Sequence, residues 1–230
     1  MSLQERQDEI IATLSNILDK ETLQKNITVT SLFVLFFETL KDYAIDKLRD
    51  LYCVESVQFK NGKFIYQEND RYKSHVRALD KDYFYASLKW FLNHDALTEK
   101  DVETVCRAQK RRNVFVHELF HMLFQGIQPE DMQLLTEMAE IYKKIDSWWV
   151  FNVEFDPDDV PNAEEVKQED CFSSSAAMLS VIKDIALGNG EQYLDWIAHI
   201  KSAVEESRKK ENPSRRSENR IKIEFMERKS

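Results

Sequence analysis

The chain has 230 residues, 43% of them hydrophobic and 32% charged, enough for one ordinary domain with a sizeable core and a well-solvated surface. Its formal net charge of −9 opposes sequence-independent nucleic-acid binding as a bulk property and confines any such contact to a local basic site. Four glycines and four prolines are too few for the turns of an all-β fold and point instead to long helices.

Residues 3–24 read as an amphipathic helix with Ile10, Ile11, Leu14, Ile17 and Leu18 on one side. Thr28 or Thr30 stands where it can cap a second helix over 31–52, in which Phe33, Phe36, Phe37, Leu40, Ala44, Leu48 and Leu51 recur at steps of three and four. Glu38 interrupts that apolar stretch and reads as a carboxylate at the rim of a bundle, within reach of a site. Asn61-Gly62 is a tight-turn signal; with those two residues as the loop, Phe59 faces Phe64 and Val57 faces Tyr66 in a hairpin. Residues 82–93 form a short aromatic helix. Thr98 and Asp101 have the spacing of a capping box, and nothing after them breaks a helix before about Phe124.

Pro129 opens the next helix, with Met132, Leu135, Met138, Tyr142 and Ile145 on one stripe. Trp149, Phe151, Val153 and Phe155 alternate with less apolar neighbours and predict a strand, followed by an acidic loop with Asp156, Asp158 and Asp159. Residues 173–187 read as a helix ended by Gly188, and Tyr193, Trp196, Ile197, Ile200 and Val204 define a last one. A polar linker over 213–219 leads to Ile221, Ile223 and Phe225, which read as a terminal strand or a tail. The fold class expected is mainly α, a helical bundle with a small β-hairpin or strand accessory and a helical C-terminal extension. Its parts are an N-terminal helix (1–27), a helical core (28–145) with a hairpin insertion (55–67), and a strand plus helical extension (146–230), packed as a single compact domain.

Cys53, Cys106 and Cys171 lie far apart without a Cys-x-x-Cys spacing, which fits free thiols in a reducing compartment. Gln4 to Glu9 is too polar for a secretory leader, and the most apolar run, 32–37, is too short to span a membrane. The expectation is a soluble, cytoplasmic protein that makes no use of a membrane.

The chemistry-bearing run is Arg111-Arg112-Asn113-Val114-Phe115-Val116-His117-Glu118-Leu119-Phe120-His121. Read from Arg112 it pairs an arginine with a histidine four residues beyond Asn113. A guanidinium can hold the non-bridging oxygens of a phosphodiester and stabilise their growing charge, while an imidazole can take the proton of a 2′-hydroxyl or give one to the leaving oxygen. No metal is needed. On a straight helix the two residues lie about 140° apart, so they meet at a groove edge, at a bend, or across a two-fold axis. Asn113, one turn before His117, is placed to orient it or to bond a phosphate.

Read from His117 the same run is His-Glu-x-x-His, in which His117 and His121 would ligate one zinc ion and Glu118 would act as base. Glu137 or Glu140 on the following helix would have to supply the third ligand. No convincing strand stands in the right place before the motif to hold a peptide substrate, and Arg111 and Arg112 offer nothing to a dication. A third reading is a helical interaction protein without chemistry, in which Arg112 and His117 are tied up by local carboxylates. His75, His94 and His199 have no partner at ligand spacing, and Trp148-Trp149 reads as core or interface.

Arg112-Asn113-x-x-x-His117-Glu118, preceded by the capped helix start Leu97-Thr98-Glu99-Lys100-Asp101, resembles the signature of HEPN domains. The resemblance covers roughly residues 28–145; the hairpin and the region beyond 146 depart from a minimal four-helix unit. It implies an all-helical, HEPN-like bundle, usually dimeric, whose Arg-x(4–6)-His motif forms a composite ribonuclease site at the dimer interface. It further implies Arg112, Asn113 and His117 as the catalytic set, Arg111 and Lys110 as additional phosphate contacts, and no cofactor. The partners implied are an RNA substrate and an antitoxin or regulatory protein, since many HEPN proteins act in toxin–antitoxin, abortive-infection or antiphage systems.

Overall fold

A computed structural model describes residues 3–193 apart from 54–56, 61–62 and 160–161, together with 198, 201 and 202. The described chain is mainly helical. It divides into two compact units, residues 1–183 and 184–230.

Two helices open the first unit, α1 (Leu3–Leu18) and the long α2 (Lys20–Cys53). The break falls at Asp19, whose carboxylate accepts from the Thr22 backbone N–H at 2.7 Å and caps α2. Thr28 and Thr30 lie inside α2, so neither is the cap expected of them. A local acceptor just after the last apolar position of α1 decides the boundary, whereas a threonine inside a helix can turn its hydroxyl aside.

Val29, Phe33, Phe36, Phe37, Leu40, Ala44 and Leu48 are all buried, which makes α2 the central element. Around it pack α4 (Tyr83–Asn93), α5 (Glu99–His117) and α7 (Pro129–Trp149). Phe33 meets Phe115 of α5 edge-on at 4.9 Å, and Phe37 meets Phe84 of α4 at 5.8 Å. The short α3 (Asp70–His75) lies against α2, to which Asn69 ties it by a hydrogen bond to the Tyr52 carbonyl. Two four-residue strands, β1 (Val57–Lys60) and β2 (Lys63–Tyr66), pair antiparallel with Val57 opposite Tyr66 and Phe59 opposite Phe64. The Asn61-Gly62 turn lies outside the described residues.

Helix starts follow the local chemistry. Asp82 caps α4, accepting from the N–H groups of Phe84 and Tyr85. Thr98 and Asp101 form the capping box of α5, and Pro129 stands in the first turn of α7. After α5 the chain breaks at Glu118 and resumes as α6 (Leu119–Gln125), where a single helix to Phe124 was expected. Helix α6 packs on α1, and Asn16 donates to the Phe124 carbonyl at 2.7 Å.

The strand expected at 149–155 is not formed. Val150–Glu154 is a π-helical turn closed by the Phe155 N–H on the Val150 carbonyl at 2.7 Å. Phe151 and Phe155, which suggested alternation, are also four apart, and here their rings stack at 5.9 Å along one helical side. Glu154 is held there by Lys47 at 2.6 Å and by the Trp149 indole at 2.9 Å. Helix α8 (Ser174–Ala186) comes next, its start fixed by Ser173. In the second unit Gly188 has φ +86° just past α8, and the Tyr193 hydroxyl donates to Asp184 at 2.6 Å. The helix expected beyond Tyr193 falls almost entirely outside the described residues, as do the linker and the terminal strand or tail. Among the described residues the three cysteines are free thiols, and no helix is long and apolar enough to cross a membrane.

Candidate functional site at the end of helix α5

Helix α5 carries Lys110, Arg111, Arg112, Asn113 and His117 toward its C-terminal end, and each has a different environment. Arg111 points inward to Asp131 at the start of α7, giving it two bonds of 2.5 and 2.7 Å. Asp131 is buried, and the Arg111 guanidinium also lies 4.6 Å from the centre of the Phe115 ring. This is a planar, bidentate pairing of the kind arginine suits best. It commits Arg111 to joining α5 and α7 rather than to a phosphate. Lys110 is exposed and has no ion-pair partner among the described residues.

Arg112 is held from two sides. Its Nη2 donates to Glu38 of α2, and its Nη1 donates to the Asn113 side-chain oxygen at 3.2 Å. The guanidinium lies 5.8 Å from the centre of the Phe37 ring, and its Nε is buried without a hydrogen-bond partner among the described residues. Glu38 also receives Lys41 at 2.6 Å. Partial burial pushes the Glu38 carboxyl up, but the Lys41 hydrogen bond and the charges of Lys41 and Arg112 outweigh it and hold the group below the usual carboxylate value. One carboxylate thus serves two cations, and Arg112 keeps a fixed direction with part of its charge compensated.

His117 is the last residue of α5, exposed, with no hydrogen bond or ion pair among the described residues. The helix is unbroken from Arg112 to His117, so the two stay on different faces, about 140° apart by helical geometry. Asn113 connects those faces, since it lies one turn before His117 and accepts from Arg112.

The break at Glu118 falls between the two histidines. Glu118 has φ −122° and ψ 27°, ends α5 through its N–H on the Val114 carbonyl at 2.8 Å, and starts α6 through its own carbonyl, which accepts from Met122 at 2.9 Å. His117 therefore ends α5 while His121 lies in α6, so the two are not one turn apart on a single continuous helix. His121 is engaged instead by the Gln125 side chain at 2.9 Å. Among the described residues no group of three or more His, Cys, Asp or Glu side chains is placed to hold a metal ion.

Glu38 and Asp131 are the residues that sequence reasoning did not assign to the site. Glu38 carried a signal, a lone carboxylate in an apolar stretch, but its partner lies 74 positions away. Asp131 stands in the first turn of α7, and its carboxylate also accepts from the Gln128 N–H at 3.0 Å.

The chain matches no protein-family model, no curated protein and no solved structure.

Proposed function

We propose that this chain is a metal-independent endoribonuclease of the HEPN type, working as a homodimer. His117 takes the proton of an RNA 2′-hydroxyl. That oxygen attacks the adjacent phosphorus, the P–O5′ bond breaks, and the departing 5′-oxygen takes a proton from the protonated His117 of the second copy. Arg112 holds the non-bridging oxygens as charge gathers on them, Asn113 sets its direction, and Lys110 supplies a further phosphate contact. Two copies of α5, related by a two-fold axis, would bring Arg112 and His117 to a common cleft that one straight helix cannot form.

The observation that carries this reading is the Arg112–Asn113 hydrogen bond one turn before an exposed His117 that has no hydrogen bond or ion pair among the described residues. The chemistry is tested by the ends of the products. Cleavage by a 2′-hydroxyl leaves 2′,3′-cyclic phosphate and 5′-hydroxyl ends; fragments with 3′-hydroxyl and 5′-phosphate ends would mean attack by water and reject it.

A second reading, a helical interaction protein without chemistry, draws support from two observations. Arg112 is paired with Glu38, and apolar side chains are open to solvent on α1 (Ile10, Ile11, Leu14, Leu18) and α6 (Leu119, Phe120). A regulatory or antitoxin-like protein fits such a surface under either reading.

A further inference from the structure

Helix α1 is amphipathic, yet its aliphatic side is largely open to solvent. Ile10, Ile11, Leu14 and Leu18 share that side at helical spacing, and each is between 44 and 77% exposed. Asn16, which ties α1 to the end of α6, lies about 120–160° around the axis from each of them. The helix packs chiefly on α6 and α2, and it stands outside residues 28–145, which carry the HEPN resemblance.

A second apolar group stands at the corner between α5 and α6. Val116 and Leu119 are each 45% exposed and Phe120 is 76% exposed, its ring edge-on to Phe124 at 5.0 Å. These residues bracket His117 in the chain. Together the two groups, on neighbouring helices, expose roughly 700 Å² of mostly apolar surface. That exceeds the roughly 300–600 Å² of the largest patch on an ordinary monomer and approaches the roughly 800 Å² that each partner of a stable complex buries.

The charge pattern selects the occupant. From Ile10 to Leu18 there is no acidic or basic residue, and from Leu119 to Gln125 the one titratable side chain is His121. A strongly basic or acidic partner finds no counter-charge within these runs. A second copy, in spite of its net charge of −9, can lay the same surface here without placing carboxylates at the centre of the contact. The nuclease reading, on which this inference rests, requires a second copy at this end of α5, because Arg112 and His117 lie on different faces of that helix. We propose that α1 and the α5–α6 corner make a two-fold contact with the same surfaces of a second copy, with Leu14 and Phe120 as its anchors. The N-terminal helix is then a clasp added to the HEPN-like bundle, and it holds the two α5 ends together.

The test is sedimentation velocity of the full chain over a concentration series, with RNA cleavage measured on the same samples. The expected result is a reversible dimer. Leu14→Asp and Phe120→Asp, both at exposed positions, should each raise its dissociation constant at least about tenfold with an unchanged circular-dichroism spectrum. Ile182→Asp, at an exposed apolar position of α8, should leave the dimer intact. A wild type that stays monomeric overturns the proposal and leaves these surfaces to a different protein. A dimer that neither variant weakens, or that Ile182→Asp disrupts, overturns it as well. A dimer that both variants dissociate but that cuts no RNA upholds the contact and counts against the nuclease reading alone.

Discussion

Arg112 stands between a carboxylate and an amide, so its guanidinium is directed before any substrate arrives while Glu38 offsets part of its charge. In the proposed nuclease this sets two opposite expectations. Arg112→Lys keeps a positive charge but loses the planar fork, and should lower kcat about tenfold or more with the chain still folded. Glu38→Gln removes a negative charge from beside the phosphate position and should lower KM for RNA several-fold; an unchanged KM would place Glu38 outside substrate binding. Arg111 is a structural residue by its geometry. Arg111→Met strands the buried Asp131 and should cost about 2–3 kcal/mol in urea unfolding, with little effect on the proposed RNA cleavage by the chain that remains folded. The spacing of Arg112, Asn113 and His117 was legible in the sequence because it is local. The commitment of Arg111 to Asp131, and of Arg112 to Glu38, was not, because each depends on how α5 packs against another helix.

At the scale of elements, the starts of α4, α5 and α7 were readable because each is set by a cap within three residues. Thr98→Ala should therefore destabilise the protein by about 1 kcal/mol, measured as a lower urea midpoint with an unchanged slope. The break at Glu118 was not readable, since no glycine or proline marks it. Helix α6, which begins there, is anchored by a distant segment. Gly126 ends α6 at φ +73°, and a β-carbon there would come within 2.9 Å of the Asn16 side-chain oxygen. Gly126→Ala thus meets both an unfavourable backbone and the anchor between α1 and α6, and should lower stability by at least about 1 kcal/mol. The π-helical turn at 150–154 was misread because a spacing of four and an alternation of two coincide at Phe151, Val153 and Phe155. The ion pair and indole contact that hold Glu154 come from α2 and α7 and leave no trace in the local pattern.

Across the whole molecule, buried acids and phenols set the pH range of stability. Burial, and then the charge of Asp146, push the Tyr142 phenol up to about 12, and burial with the Asp146 hydrogen bond raises Tyr43 as well. Both favour the protonated phenol in the folded state, so their contribution is complete below the ordinary value of 10 and declines as pH rises above it, that of Tyr142 being lost by about 12. On the acid side burial raises Asp101, but the Lys144 and Thr98 hydrogen bonds outweigh it, and Glu38 is likewise held low. Their contribution is present above the ordinary values of 3.8 and 4.5 and disappears as pH falls through the lower folded values. Thermal unfolding should accordingly show a plateau through neutral pH and a decline at both ends; a Tm that does not fall between pH 10 and 12 would contradict the role given to the two phenols.

The central claim concerns His117, and it is tested most directly by incubating a mixed RNA with the wild type and with His117→Ala in excess EDTA. The account predicts cleavage by the wild type and none by the variant. No cleavage by the wild type, or equal cleavage by both, would contradict it.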